Sequence, residues 1–406
     1  MSKAYLILAD GSVFEGKSIG VEGKTIGETV FTTGMTGYVE TLTDPSYYGQ
    51  IVTQTFPLIG NYGIEKEDFE SKKSFVSGYI VRELCHEPSN FRCQGDLDSF
   101  LKAQGIVGIC GIDTRALTKK LRESGVMNGM ILSGECLQEV RDNLLLGHLE
   151  EIKAYKITDA VKSVQSDTVG EVSPSATMAK PFPPAPSAGE SPRNAPHIVL
   201  FDFGAKANIQ RELEKRDCKV SVVPFDTSAE KVIAMKPDGI MLSNGPGDPA
   251  ENLGVIEEIR KLCEWNKELV GSSCDKLRER QTMILPARPI PIFGICLGHQ
   301  MLSLARGAKT CRLKYGHRGG NHPVKDLKTG RVYITSQNHG YAVEAASLPD
   351  FARETFVNLN DGTCEGVEYT DIPAFSVQFH PEACGGPHDT NFLFDRFLEM
   401  IKNATK

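Results

Sequence analysis

The segment Gly294–Gln300, with the sequence GICLGHQ, combines residue types that can perform nucleophilic chemistry. Cys296 stands between two glycines, where an apolar strand pattern gives way to a helical one. In a G-x-nucleophile-x-G turn the central side chain is exposed, and the glycines remove Cβ atoms that would clash. The positive end of the following helix favours a thiolate. We therefore predict that Cys296 is a nucleophile and that the amide of Leu297 is an oxyanion donor; the other ten cysteines are interpreted as buried small apolar residues.

The tripeptide His380-Pro381-Glu382 follows a strand predicted over Ala374–Phe379. A cysteine nucleophile needs a base, and the base needs a group that orients its ring. Because strand carboxyl ends meet at one edge of an open α/β sheet, His380 can approach Cys296 despite their separation in sequence. Glu382 would then bind the far ring nitrogen. Without the cysteine turn, a solvated or structural histidine would be the better interpretation.

A third strand, Gly239–Leu242, leads into a rigid loop rich in glycine and proline, Ser243–Pro249. Such a loop can present backbone N–H groups at close range, as a second oxyanion donor requires. The same residues also form ordinary turns. Phosphate binding is disfavoured because the pattern G-x-x-x-x-G-K-[ST] is missing.

The elements that must position these residues alternate between strands and helices. This alternation is typical of a parallel sheet flanked by helices, and predicts a doubly wound α/β domain over residues 196–406. The predicted elements are strands at 197–201, 219–223, 239–242, 291–294, 332–335 and 374–379, and helices at 206–215, 228–235, 298–305 and 391–401.

The first 150 residues have a different pattern. Short apolar runs are separated by turn residues, and Asp10-Gly11 between two such runs predicts a β-hairpin. Helical spacing appears around Leu97–Leu101 and Leu117–Leu121. We predict a β-rich α+β domain over 1–150, followed by a linker over 151–195 that is partly rich in proline and serine.

Composition excludes several classes of function. The 406 residues carry 45 Lys and Arg against 52 Asp and Glu, a net charge of −7, so nucleic-acid binding is disfavoured. We expect no membrane association, because Met1–Gly11 lacks a signal-peptide pattern and apolar runs are short. Eleven cysteines without a CxxC pair favour a reducing compartment, and we expect a cytoplasmic protein.

The three motifs together resemble the class I, triad-type glutamine amidotransferases. Further motifs, most of them in the first half of the chain, resemble the small, glutamine-hydrolysing subunits of carbamoyl phosphate synthetases, and the resemblance extends over nearly the whole chain. They are Met35–Tyr38, Thr43–Tyr47, Pro57–Gly63, Gly111–Arg115, Phe201–Lys206 and Gln337–Val343.

The resemblance implies that L-glutamine is hydrolysed to glutamate and ammonia through a thioester, by a catalytic triad of Cys296, His380 and Glu382. It implies that the ammonia passes to a large synthetase subunit, in a heterodimer or higher assembly, which uses ATP, Mg and bicarbonate to make carbamoyl phosphate for arginine and pyrimidine biosynthesis. No cofactor or metal is expected in this chain. The implied glutamine-binding residues are Ser46, Gly245, Gly247, Leu297, Gln300, Asn338, Gly340 and Tyr341, with Gly245 and Leu297 forming the oxyanion hole.

Some features depart from the family pattern or remain open. Tyr341 stands where the family often has Phe, and segment 271–287 is longer than expected. His317, His322 and His339 lack metal-ligand spacing, so we expect surface or hydrogen-bonded roles for them. We also expect Lys206 and Lys325 to be solvated.

Two other functions are consistent with parts of the sequence. A different thiol hydrolase on the same scaffold, such as a γ-glutamyl peptide hydrolase, would act without a partner but leaves the N-terminal motifs unexplained. A catalytically silent scaffold would be favoured if Cys296, His380 or Glu382 were missing, and all three are present.

Overall fold

The computed structural model describes residues 1–137, 145–165, 170–171, 195–271 and 288–404. The chain forms two compact units. The first comprises residues 1–160, 313–321 and 384–386, and the second comprises residues 161–312, 322–383 and 387–406. Most of the predicted proline-rich linker and the long segment before Cys296 (272–287) lie outside the described residues.

The first unit is built around a β-barrel. Its strands are Lys3–Leu8 (β1), Val13–Gly20 (β2), Lys24–Thr32 (β3), Gln50–Gln54 (β4), Leu58–Ile59 (β5), Gly78–Ile80 (β6), Glu83–Leu84 (β7), Val107–Cys110 (β8) and Met127–Ser133 (β9). Its α-helices are Tyr38–Thr43, Leu97–Ala103, Thr114–Ser124 and Leu145–Ala154, and its 3-10 turns are Pro45–Tyr47, Lys66–Asp68 and Gly134–Cys136. Among the described residues, the barrel closes in the order β1-β2-β8-β6-β4-β3-β9, while β5 and β7 form a separate pair.

The predicted hairpin at Asp10-Gly11 is confirmed. β1 and β2 are antiparallel neighbours, and Gly11 takes the positive φ of 86° that a tight turn requires. The β-rich α+β class is also confirmed. Closure of the barrel was not predicted, because it depends on pairs distant in sequence such as β2 with β8 and β1 with β9.

The second unit contains the predicted alternation of strands and helices. Its strands are Gly170–Glu171 (β10), His197–Asp202 (β11), Lys219–Pro224 (β12), Gly239–Leu242 (β13), Ile292–Ile295 (β14), Thr310–Asp326 (β15), Val332–Val343 (β16), Ala352–Asn358 (β17), Cys364–Tyr369 (β18) and Ala374–Val377 (β19). Its helices are Ala160–Ser163, where the division between units falls, Ala207–Glu214, Ala229–Ala234, Leu253–Gly271, Leu297–Ala305 and Phe392–Ala404, with 3-10 turns at Pro249–Glu251 and Ala345–Ser347. Residues 313–321 of β15 belong to the first unit.

The middle of this sheet is parallel and brings three strand ends together. The order is β10-β12-β11-β13-β14-β19-β18-β16-β15-β17. The five neighbouring strands β12, β11, β13, β14 and β19 run parallel. Leu242 pairs with Gly294, and Gly294 with Ser376. β13, β14 and β19 therefore end at one edge, as the sequence predicts for the segments that follow them.

Beyond β19 the sheet becomes antiparallel. β18 pairs with β19 and with β17, and β17 in turn pairs with the end of β15. The sequence pattern predicts only the first four residues of β16 and none of β15, β17 or β18. These strands are less uniformly apolar than β11 or β14, with several residues partly exposed, so their pattern is weaker.

The helix Leu253–Gly271 covers the sheet next to the cysteine turn. Ile256, Ile259 and Cys263 are buried in the same apolar core as Leu242 and Leu297, and Trp265, the single tryptophan of the sequence, packs against that core. The opposite face of the helix Leu253–Gly271 carries charged residues. Within the described ranges, no helix is both long and apolar enough to cross a lipid bilayer.

Gly298→Ala is expected to destabilise the second unit, because a Cβ there would lie 2.3 Å from the carbonyl oxygen of Leu242 and backbone cannot easily move away. We expect a cost of about 1–3 kcal/mol. Gly254→Ala is the control, since nothing lies within 4 Å of its Cβ and the helix should gain slightly. Trp265 fluorescence during thermal unfolding reports on this unit. Equal midpoints for the two variants would contradict the expectation.

Candidate active site

Cys296 occupies a strained turn between β14 and the helix Leu297–Ala305, which we call the elbow helix. Its φ of 53° and ψ of −103° are unusual for a residue with a side chain. Its amide donates to Val377 O on β19 at 2.9 Å, and the amide of Gly298 donates to Ser243 O at 3.0 Å. The turn is thus bonded to the ends of both neighbouring strands. Sγ points toward Asn338 O, 3.7 Å away.

The glycines around Cys296 are required by close packing. A Cβ on Gly294 would lie 2.9 Å from Gly298 O, and one on Gly298 would overlap Leu242. Across the site, a Cβ on Gly245 would lie 2.2 Å from Phe203 O and 2.8 Å from a methyl carbon of Leu297. The predicted oxyanion residues Gly245 and Leu297 are therefore neighbours. Leu297 begins the elbow helix, so its N–H has no acceptor within that helix.

His380 and Glu382 form a fully buried pair. His380 Nδ1 lies 2.7 Å from Glu382 Oε1, and His380 N donates to Ser336 O at 2.9 Å. Among the described residues, Nε2 of His380 has no hydrogen-bond partner of ordinary geometry. Glu382 therefore binds the far nitrogen, as the sequence predicts, and leaves Nε2 for proton transfer.

Lys206 is a site residue that the sequence analysis placed wrongly. It was expected to be solvated, but its side chain is 9% exposed and Nζ lies 3.5 Å from Glu382 Oε1. The sequence signal was weak, because the contact joins residues from two distant loops. A lysine four residues after the buried strand β11, which ends at the same sheet edge as β13 and β14, is the signal that could have indicated it.

Backbone and amide contacts fix the loop that carries Lys206. Asn244 Oδ1 accepts from Lys206 N at 3.0 Å, and Asn244 Nδ2 donates to Gly204 O at 3.2 Å. Ser243 Oγ accepts from Phe203 N at 2.9 Å. The glycine-proline loop after β13 therefore positions Lys206 as well as Gly245.

A polar cluster of Glu212, Arg216 and Asn391 contacts the backbone of the His380–Glu382 loop. Asn391 Nδ2 donates to Pro381 O at 3.3 Å, and Asn391 Oδ1 accepts from Arg216 Nη2 at 2.7 Å. Glu212 binds both Arg216 and Asn391. Asn391, just before the last helix, thus holds the carbonyl of Pro381, and Arg216 and Glu212 hold Asn391.

The charges in this site shift its pKa values in definite directions. Burial and Lys206 lower the pKa of His380, but Glu382 and Cys296 raise it more, so the net shift is upward. Burial raises the pKa of Glu382, but His380 and Lys206 lower it well below its ordinary value. Glu382 is therefore an anion at neutral pH, and it favours an imidazolium at His380.

The remaining predicted glutamine-binding residues fall into three groups. Gln300 is buried in the elbow helix and its Nε2 donates to Tyr341 O at 2.7 Å, which brings these two together. Asn338 and Gly340 lie beside Tyr341 on β16, and Gly247 has a φ of 90° in the loop after β13. Ser46 lies in the first unit, where Asp44 Oδ1 accepts from its amide. Their roles in binding glutamine stay predictions.

Two other histidines near the site are held by hydrogen bonds. His299 is buried, its Nδ1 lies 2.8 Å from Ser376 Oγ, and burial lowers its pKa to about 3. His339 is buried too, with its ring nitrogens 2.7 Å from Tyr341 O and Gln337 Oε1. The hydrogen-bonded role expected for His339 is thus observed.

Two family models match the sequence. The family described as carbamoyl-phosphate synthase (also written synthetase) small chain, CPSase domain, matches residues 6–131. The family described as glutamine amidotransferase class-I matches residues 199–400. Together they cover most of the chain, and the second includes Lys206, Cys296, His380 and Glu382.

Curated relatives match over almost the full length. A carbamoyl phosphate synthase small chain of Listeria monocytogenes serotype 4b (strain F2365) is 48% identical over 402 residues, covering 99% of this chain and 97% of the relative. The protein of the same name from Bacillus anthracis is 48% identical over 405 residues, covering 100% and 97%.

Solved structures resemble part of the chain. A glutamine amidotransferase from Thermotoga maritima gives a TM-score of 0.32 at 17% identity, covering 52% of this chain and 86% of that one. A glutamine amido transferase from Methylobacillus flagellatus gives 0.34 at 14% identity, covering 47% and 71%.

Glu382→Gln and Lys206→Met should move the pKa of His380 in opposite directions. Loss of the anion lowers it, because burial and Lys206 still oppose the imidazolium, whereas loss of the cation raises it. NMR titration of ¹⁵N-labelled histidine rings measures both shifts, with His380→Asn identifying the signal. Lys325→Met serves as the control. Shifts in the same direction would contradict this electrostatic arrangement.

Proposed function

Because the chain belongs to the carbamoyl phosphate synthase small chain family, we propose that it hydrolyses the side-chain amide of L-glutamine and delivers the ammonia to a large synthetase subunit. The observation that carries this proposal is the cysteine turn beside a buried histidine–glutamate pair. Cys296 lies on a helix N-terminus, and His380 keeps one ring nitrogen available while Glu382 holds the other. These are the parts that acyl transfer through sulfur requires.

The proposed reaction proceeds in two halves. Sγ of Cys296 bonds to the amide carbon of glutamine while its proton passes to Nε2 of His380. The carbon–nitrogen bond then breaks, the imidazolium protonates the nitrogen, and ammonia leaves a thioester. Water attacks the thioester carbon and gives its proton to His380, and the carbon–sulfur bond breaks to release glutamate and restore Cys296.

Backbone amides at Leu297 and Gly245 are proposed to stabilise the oxyanion formed in each half. Support comes from their proximity, since a Cβ on Gly245 would collide with the Leu297 side chain. The elbow helix adds positive potential at the same point. Removing one donor of this kind typically lowers kcat by about 10²–10³-fold.

Substrate recognition is proposed to use polar groups around the elbow helix and β16. Gln300, Asn338, Gly340 and Tyr341 would hold the amino and carboxylate ends of glutamine, together with Ser46 and Gly247. Support comes from the Gln300–Tyr341 hydrogen bond and from the contact of Cys296 with Asn338 O, which bring three of them close to the nucleophile.

The large subunit is proposed to consume ATP, Mg and bicarbonate, and to make carbamoyl phosphate for arginine and pyrimidine biosynthesis. No metal or cofactor is assigned to this chain. A cytoplasmic location is proposed because the cysteines in the described part of the chain are all free and the net charge is mildly acidic.

Ammonia release from L-glutamine tests the proposal, using wild type and Cys296→Ser with and without a cognate large subunit. We expect slow release by wild type that the partner accelerates, and a loss of at least about 10³-fold in Cys296→Ser. Cys311→Ser, at a partly exposed cysteine outside the site, should retain wild-type rates.

The alternatives predict different results in the same assay. A γ-glutamyl peptide hydrolase would cleave γ-glutamyl peptides at a rate that the partner does not change. A silent scaffold would release no ammonia in any mixture, even when folding and complex formation are demonstrated. Either result would overturn the proposed function.

A further inference from the structure

Gln378 is a buried residue that none of the sequence motifs assigned to the site. It follows β19 and comes two residues before His380, with 0% of its surface exposed. Its amide donates to Glu365 O at 2.9 Å, and the preceding Val377 accepts from Cys296 N. The backbone of Gln378 is thereby held between β18 and the cysteine turn.

The side chain of Gln378 binds Gln300. Gln300 Nε2 donates to Gln378 Oε1 at 2.9 Å and to Tyr341 O at 2.7 Å. The carbonyl of Tyr341 can only accept, so the nitrogen of the Gln300 amide must face it. The Gln300 amide therefore has its nitrogen toward Tyr341. Because the same nitrogen donates to Gln378, the atom of Gln378 that accepts must be its oxygen.

Both N–H groups of Gln300 are used by these two acceptors. Its Oε1 remains as an acceptor, and it takes part in no hydrogen bond with the described residues. An amide oxygen whose own N–H groups are already bonded elsewhere suits an ammonium group, which has three donors and no acceptor. The substrate proposed above carries such a group at its α-carbon.

We propose that Gln378 is a positioning residue that locks the Gln300 amide with its oxygen toward the α-ammonium of the substrate. The inference rests on the proposed function and deepens it by naming how an amide with an α-amino group is selected. Without Gln378, one N–H of the Gln300 amide loses its acceptor, and the single remaining bond to Tyr341 O holds the amide less firmly. The contribution therefore lies in substrate recognition, while the chemistry of Cys296 and His380 is unchanged.

Substitution of Gln378 removes a single side-chain hydrogen bond, the one with Gln300. Its Nε2 is buried and has no hydrogen-bond partner among the described residues, so replacing that atom breaks no bond. Gln378→Met removes the whole amide, but the only side-chain hydrogen bond lost is the one to Gln300, and the length of the side chain is nearly conserved. Gln378→Glu keeps an oxygen acceptor facing Gln300 in either protonation state. Gln210→Met, at a partly exposed site on another helix, is the matched control.

The experiment measures kcat and KM for ammonia release by the complex with the large subunit. The substrates are L-glutamine and its analogue without the α-amino group, 4-carbamoylbutanoate. For Gln378→Met we expect KM for L-glutamine to rise about 10- to 100-fold, kcat to stay within about threefold, and kcat/KM for the analogue to change little. Discrimination between the two substrates then falls, and Gln378→Glu restores most of it.

A second substitution separates this role from a general loss of structure. If Gln378 acts through Gln300, then Gln378→Met should have little further effect on discrimination in a Gln300→Met background. Unfolding midpoints from Trp265 fluorescence confirm that each variant is folded. Unchanged discrimination in Gln378→Met, or an undiminished effect in the Gln300→Met background, would overturn the inference. Absence of glutamine turnover in wild type would instead refute the proposed function itself.

Discussion

The backbone conformation of Cys296 is the constraint on which the second unit depends. A non-glycine residue with φ of 53° and ψ of −103° costs about 1–3 kcal/mol, which the surrounding structure must offset. The offset comes from hydrogen bonds to the ends of β13 and β19 and from contacts so close that Gly294 and Gly298 tolerate no Cβ. The neighbouring strand ends, the glycines and the helix that follows Cys296 therefore together hold the backbone of this turn in its strained conformation.

Burial of charge is the second constraint. Lys206, His380 and Glu382 lie together away from water, where an unpaired ion would be very costly. The glutamate lies between the two potential cations, so one anion compensates both. Because Lys206 opposes protonation of His380 while Glu382 favours it, the balance of these two groups sets how readily the histidine gives up a proton.

The sequence predicted the features that depend on local pattern. The cysteine turn, the three strand ends and the His380–Glu382 pair all follow from apolar runs and their neighbouring residues. Lys206, Gln378 and the closed barrel were missed because each depends on contacts between segments far apart in the chain. The ends of the four helices predicted in the second unit are correct within a few residues, but the helix Leu253–Gly271 was not predicted. β17 and β18 were missed as well, because their apolar pattern is weak.

Two histidines at the same sheet edge show how environment assigns different chemistry to one residue type. His299 and His380 are both fully buried, yet the pKa of the first is lowered to about 3 and that of the second is raised. Burial lowers the pKa of His299, and the serine hydroxyl beside it carries no charge that would oppose this shift, so the ring stays neutral near pH 7. His380 has a carboxylate, which stabilises the protonated form. The partner, more than burial, decides which histidine can accept a proton from the thiol, and this makes Glu382 as much a determinant of the chemistry as the nucleophile.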